Sequence, residues 1–202
     1  MRLTERLVLR RWVETDRDPF AQMNADPEVM AYFPGLLSRE ESDSLVDRIE
    51  AGFEAHGFGL WALDVAVSGE FIGFTGLAIP DFDAEFTPAV EVGWRLARPA
   101  WGKGYATEAG RAALEVAFDE LGLVEVVSFA SQVNVRSQAV MRRLGMTHDP
   151  VDDFPHPRLP MGHPLRHHVL YRIVQPAARS RSLGSPPSPR PCSGPATDKN
   201  LG

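Results

Sequence analysis

The stretch Trp101-Gly102-Lys103-Gly104-Tyr105-Ala106-Thr107-Glu108 constrains this chain more than any other. It follows an alternating run, Ala89 to Leu96 (AVEVGWRL), that reads as a strand. It opens an apolar-periodic run, about Ala106 to Leu121, that reads as a helix ended by Gly122. Two glycines in alternate positions leave backbone N–H groups uncovered where the helix dipole begins, so the turn can cradle an anion. A pyrophosphate suits that cradle, with Lys103 adding a point charge and Thr107 a hydroxyl. The spacing G-x-x-x-x-G-K-[ST] is absent, and G-x-G-x-x-G fails because its last position is Thr107. A nucleotide enzyme built on this turn would also lack an obvious magnesium carboxylate. The plain alternative is a glycine turn that merely enters a helix.

The elements around the turn alternate in type. Arg6 to Trp12 reads as a strand, and Asp16 to Ala25 as a short helix capped by Thr15 or Asp16. Ser38 to Ala55 reads as a longer helix, with Ser38 and Glu41 in capping-box spacing. Leu60 to Val67 and Glu70 to Ile79 read as strands joined at Ser68-Gly69, and Pro80 to Pro88 as a loop. Leu123 to Ser131 reads as a strand, and Asn134 to Leu144 as a helix with Asn134 as N-cap and Gly145 as stop. Arg166 to Val174 reads as a closing strand. A hairpin-rich sheet that then crosses through helices is α+β rather than a repeating βαβ array. From about residue 176 the chain becomes Pro/Ser/Gly-rich and short of large hydrophobes, the composition of a disordered tail. The organisation is therefore one folded domain, 1–175, and a tail, 176–202.

Composition removes several classes. A net charge of -6 opposes a nucleic-acid partner, which needs basic side chains on phosphates. The single cysteine, Cys192, forbids an intrachain disulfide and sits in the tail, away from any plausible thiol chemistry. No apolar stretch approaches a membrane span and the N-terminus has no signal core, so the cytoplasm is the expected compartment. Five histidines fall between 148 and 168 among prolines 150, 155, 157, 160 and 164. They lack the spacing of ligands on a helix and any cysteine partner, so no metal is expected and the segment reads as an irregular surface loop.

Taken as a set, A-V-E-V-G-W-R-L, W-G-K-G-Y-A-T-E-A and the N-x-x-S helix start at Asn134 and Ser137 resemble the GNAT acetyltransferase superfamily. The opening L-T-E-R-L-V-L-R-R-W and the segment D-P-E-V-M-A-Y-F-P resemble its RimJ/RimL-type branch, and the likeness spans about Leu3 to Ile173. The resemblance implies a mixed, mostly antiparallel central sheet flanked by helices, with a splayed strand pair at the cofactor site. It implies acetyl-CoA as acyl donor and a primary amine as acceptor, either a protein N-terminus or a small amine, in a monomer or homodimer. The family's loop pattern Q/R-x-x-G-x-G/A falls on Trp101 to Ala106, matching at Gly104 and Ala106 and departing at Trp101.

By the same resemblance, Trp101, Gly102, Lys103, Gly104, Tyr105, Ala106 and Thr107 would hold the pyrophosphate. Trp94 and Leu96 would offer backbone N–H groups to the thioester carbonyl, an oxyanion-hole role. Asn134 would face the pantetheine arm and Ser137 the leaving thiolate. Read as residues alone, Asn134 is an N-cap and Ser137 a first-turn side chain facing solvent. Glu91 is the candidate general base, with a solvent-facing or arginine-paired strand carboxylate as the alternative. Tyr171 reads as core. Tyr32 to Leu37 is the expected acceptor side. A non-catalytic acyl-CoA-binding module would carry the same loop.

Overall fold

The structure, a computed structural model, describes residues 1–175. The tail from 176, with Cys192, lies outside the described residues. The chain opens with two strands, β1 (Arg2–Leu3) and β2 (Leu7–Arg10), then a 3-10 turn at Glu14–Asp16 and helix α1 (Arg17–Asn24). Neither Thr15 nor Asp16 caps α1. The Asp16 carboxylate is taken instead by Arg10, at 2.6 and 2.8 Å, and by the Val13 N–H at 3.0 Å. A buried carboxylate needs that charged partner more than a helix end needs a cap.

Helix α2 (Arg39–His56) follows the capping-box reading. Ser38 Oγ accepts from the Glu41 N–H, Glu41 accepts from the Ser38 N–H, and Gly57 closes the helix at φ +75°. It buries Val46, Ile49 and Phe53 against Trp12, Phe20 and Phe74. Strands β3 (Leu60–Val65), β4 (Phe71–Ala78) and β5 (Glu91–Leu96) continue the antiparallel ladder. Helix α3 (Tyr105–Glu115) passes into a π-helical turn, Val116–Glu120, closed by Leu121 N–H on the Val116 carbonyl at 3.0 Å. Strand β6 (Glu125–Ser131) and helix α4 (Val135–Arg143) follow. Two-residue strands β7 (Thr147–His148) and β8 (Phe154–Pro155) both pair with the final strand, β9 (His167–Val174).

The sheet order is β1-β2-β3-β4-β5-β6-β9-β7, with β8 also on β9. Every pairing is antiparallel except β5 with β6. That parallel pair meets at one position, Glu91 opposite Val127, and the strands diverge beyond it. Helices α3 and α4 cover one face, where Val92, Ala113, Ala117, Val126 and Met141 form the core. At Gly110 an added Cβ would lie 3.0 Å from the Leu144 side chain, so the glycine lets the two helices close together. No described helix is long and apolar enough to cross a membrane.

One buried bond ties β4 to the strand that borders the split. Thr75, fully buried, donates from Oγ1 to the Gly93 carbonyl at 2.9 Å. Thr75→Val keeps the shape and removes the donor, so the urea midpoint should fall by an amount worth about 1 kcal/mol. An unchanged midpoint would show that the bond adds nothing to stability.

Candidate active site

The divergence of β5 from β6 opens a cleft of about 700 Å³. Strand alternation decides what faces it. The Ala97 N–H donates to Ile72 on β4 at 2.9 Å, so the neighbouring positions on the other edge, Trp94 and Leu96, turn their N–H groups toward the gap. The Leu96 carbonyl points the same way and accepts from the Trp101 indole Nε1 at 2.8 Å. Trp101 thus pins the glycine turn to the strand, and its ring lies between Arg98 and Arg136, at 5.0 and 4.8 Å.

The glycine turn forms the cleft floor. Gly102 and Gly104 have φ of +75° and +82°, a conformation that glycine adopts without cost. The N–H groups from Gly102 to Ala106 donate to no acceptor among the described residues. Arg6 Nη1 holds the Lys103 carbonyl at 3.0 Å. Across the trans peptide the Gly104 N–H therefore points away from Arg6. Arg6 is itself anchored on Glu108, which also accepts from Thr4 Oγ1 at 2.6 Å. A Cβ at Gly102 would meet nothing within 4 Å. Unclaimed donors, open space and a helix start fit a diphosphate.

Most of the sequence candidates meet in this cleft. Trp94, Leu96, Trp101, Gly102, Gly104 and Tyr105 line it. So do Ala106, Thr107, Asn134 and Ser137. Asn134 is both N-cap and cleft wall: its Oδ1 accepts from the Ser137 N–H at 3.1 Å. Ser137 is half-buried rather than solvent-facing. Tyr32 and Phe33 form the wall opposite α4, where the acceptor side was expected. Two candidates stand apart. Lys103 is exposed and outside the lining. Glu91 sits at the root of the split, behind the lining, and pairs with no arginine among the described residues. It keeps a sliver of accessible surface, yet burial pushes its carboxyl up to about 8. Tyr171 is core, its hydroxyl accepting from Arg142 at 3.0 Å. No group of three metal-ligating side chains occurs among the described residues.

Four arginines in the lining, Arg95, Arg98, Arg136 and Arg143, were not anticipated, and Arg98 is paired with Glu28. Arg136 and Arg143 are seven residues apart on α4, hence on one face, and make no ion pair among the described residues. They set a positive patch at the cleft of a chain whose net charge is -6. Arg95 lies on the strand face it shares with Glu91 and Gly93. The signal for it was available in E-V-G-W-R-L, where period two separates an arginine from the apolar set.

A mostly antiparallel sheet opened between two parallel strands, beside an N–H cradle at a helix start, is the arrangement that the acetyltransferase resemblance implies. The sequence profile of the acetyltransferase (GNAT) domain matches residues 6–147. The chain belongs to the GNAT acetyltransferase family, and its activity is acetyl-CoA-dependent N-acetylation. It is 31% identical over 145 residues to Bacillus subtilis YkkB, covering 71% of this chain and 83% of that protein. It is 33% identical over 152 residues to the FsC-acetyl coenzyme A-N(2)-transacetylase of Aspergillus fumigatus, covering 72% of this chain and 64% of that protein. An acetyltransferase crystal structure from Agrobacterium tumefaciens superposes with TM-score 0.69 at 30% identity, covering 86% of this chain and 94% of that one.

Proposed function

We propose that this cleft holds acetyl-CoA with its pyrophosphate on the Gly102–Ala106 N–H groups, and that a primary amine entering beside Tyr32 and Phe33 takes the acetyl group directly. The run of five unclaimed backbone donors carries the reading. Acetyl-CoA, when bound, supplies an acyl group on a thioester. The chain's own residues supply the rest. The Gly102–Ala106 cradle and the Arg136 and Arg143 side chains neutralise phosphate charge. The Trp94 and Leu96 N–H groups face the gap and can donate to a carbonyl oxygen there, a contribution of about 3 kcal/mol for each donor that tightens in the transition state. Ser137 Oγ offers a hydroxyl to a departing sulfur. Glu91, at the root of the split, receives the proton of the amine, directly or through one water.

A protein N-terminal amine is the second reading of the acceptor. It is favoured by the RimJ/RimL-type segments L-T-E-R-L-V-L-R-R-W and D-P-E-V-M-A-Y-F-P.

The test is calorimetric titration with acetyl-CoA, with dephospho-CoA and ATP as controls, followed by an amine screen read as free thiol. Saturable binding of acetyl-CoA and amine-dependent thiol release are expected. Binding without thiol release from any amine would leave an acyl-CoA-binding module. No binding would overturn the placement of the cofactor.

A further inference from the structure

Arg95 is a cation inside the acceptor wall with no anion to face. Its guanidinium stacks on Phe33 at 4.0 Å and lies 5.5 Å from the Phe74 ring. Nη1 donates to Asn24 Oδ1 at 2.7 Å. Asn24 is held in turn: it is fully buried, donates from Nδ2 to Ser42 Oγ at 2.9 Å, and accepts the Leu37 N–H on its backbone carbonyl. The arginine is therefore positioned by α1 and α2 rather than left loose. Nε is buried and has no partner, and no carboxylate pairs with the group among the described residues. Burial lowers its pKa to about 10, so it still carries its charge at neutral pH. An unpaired buried guanidinium is costly, whereas the buried Asp16 carboxylate is paired with Arg10.

With Nη1 committed to Asn24 and Nε buried, Nη2 is the nitrogen left to meet a carboxylate oxygen. Arg95 shares its strand face with Gly93, which adds no side chain, and with Glu91, whose Oε1 lies 3.7 Å from where a Gly93 Cβ would stand. A bare backbone position thus separates an acidic group from a basic one. The lining around it includes the aromatic side chains of Tyr32, Phe33 and Trp94.

We infer that the acceptor is a small amine that also carries a carboxylate, an amino acid or close analogue, with its carboxylate on Arg95 Nη2. The inference rests on the acetyl-transfer reading of the same cleft. Of the arginines that line the cleft, Arg136 and Arg143 are assigned to the diphosphate and Arg98 is paired with Glu28, so Arg95 is left to match one negative charge, whereas a dianionic acceptor group would leave charge uncompensated. A peptide or protein N-terminus, whose α-carboxyl is an amide, offers no carboxylate to that nitrogen unless a side chain supplies it. In the transfer step the amine nitrogen bonds to the acetyl carbon, the carbon–sulfur bond breaks, sulfur leaves as CoA thiolate, and the amine proton passes to Glu91. Arg95 takes no part in bond making; it sets which amine is held.

The test uses the full chain. Acetyl-CoA affinity is measured first by calorimetry. Initial rates are then compared for free amino acids, their carboxamides, their aminophosphonate analogues and N-terminal peptides. At least one free amino acid should exceed its own amide by about 100-fold in kcat/KM, equivalent to about 2.7 kcal/mol. Arg95→Gln should collapse that ratio toward one, chiefly through KM, while acetyl-CoA affinity stays within about twofold. Arg95→Lys keeps the charge without the planar guanidinium and should recover only part of the preference. Amides or peptides turned over as well as the acids would overturn the inference, as would a preference for phosphonates or a ratio that survives Arg95→Gln. Acetyl-CoA that binds while no amino acid is acetylated would overturn it too, leaving the cofactor placement standing. Acetyl-CoA that fails to bind would remove both. The acid-to-amide ratio of the parent protein is informative even if Arg95→Gln folds poorly.

Discussion

Gly104→Val should weaken acetyl-CoA binding by at least about 100-fold, because a branched side chain would stand where the cradle must approach a diphosphate. The backbone there has φ +82°, a region that a valine occupies only under strain. That strain costs about 1–3 kcal/mol and lowers the melting temperature in its own right. Gly122→Val separates the two effects. Gly122 also has positive φ, +65°, with nothing within 4 Å of an added Cβ, and lies beyond the far end of α3. The two variants should lose similar stability, and only the Gly104 variant should lose the cofactor. Calorimetry beside thermal melts reads both. If the Gly104 variant binds acetyl-CoA as tightly as the parent, the diphosphate is not on this turn.

Glu91→Gln should move activity and stability in opposite directions. As general base, the carboxylate contributes about 10²–10⁴-fold to rate, and the variant should lose about that much kcat. Burial holds the folded-state pKa near 8 against an ordinary 4.5, so the folded protein retains a proton that the unfolded chain has released. Between those values the folded state binds more protons, and stability falls as pH rises. Glutamine cannot ionise, so Glu91→Gln should melt higher than the parent at pH 9 and match it near pH 4. Each pKa unit is worth about 1.4 kcal/mol, and the residual exposure of the side chain reduces the total to a few units of that size at most. The ionised form is the base, so parental kcat/KM should climb with pH through about 8. Subtracting the profile of the variant removes the acceptor's own titration. A variant that keeps full turnover would take the base role away from Glu91.

Sequence reading reached the parts of the fold where one local rule fixes the outcome. Ser38 with Glu41, and Asn134 before an amphipathic run, are helix starts that need no tertiary information. The strands β3 to β6 and β9 announce themselves by apolar runs between turn residues. What escaped depends on distant partners. The pairings of Thr147–His148 and Phe154–Pro155 are two residues long, too short for any periodicity, and exist only because β9 lies beside them. The π-helical turn at Val116–Glu120 keeps the apolar pattern of a helix and differs only in its bonding. Asp16 suits a cap by type, but Arg10 lies opposite in space. In the site, the backbone roles proposed for Trp94, Leu96 and the glycine turn come from family likeness. The turn's side-chain support, Arg6 on Glu108 across 102 residues of chain, could not be seen locally. Lys103 was expected to face the anion; its side chain is exposed outside the lining, and its carbonyl accepts from Arg6.

The single ladder position shared by β5 and β6 has a mechanical consequence. Across that seam the two half-sheets share almost no hydrogen bonds and are joined mainly through α3 and α4, so each half can open as its own cooperative unit. A ligand laid along the exposed edge of β5 bridges the seam as a missing strand would. Amide exchange in β6 and β9 should therefore slow when the cleft is filled by groups that touch only β5 and the helix starts. The substrate, in this sense, is a temporary piece of the fold.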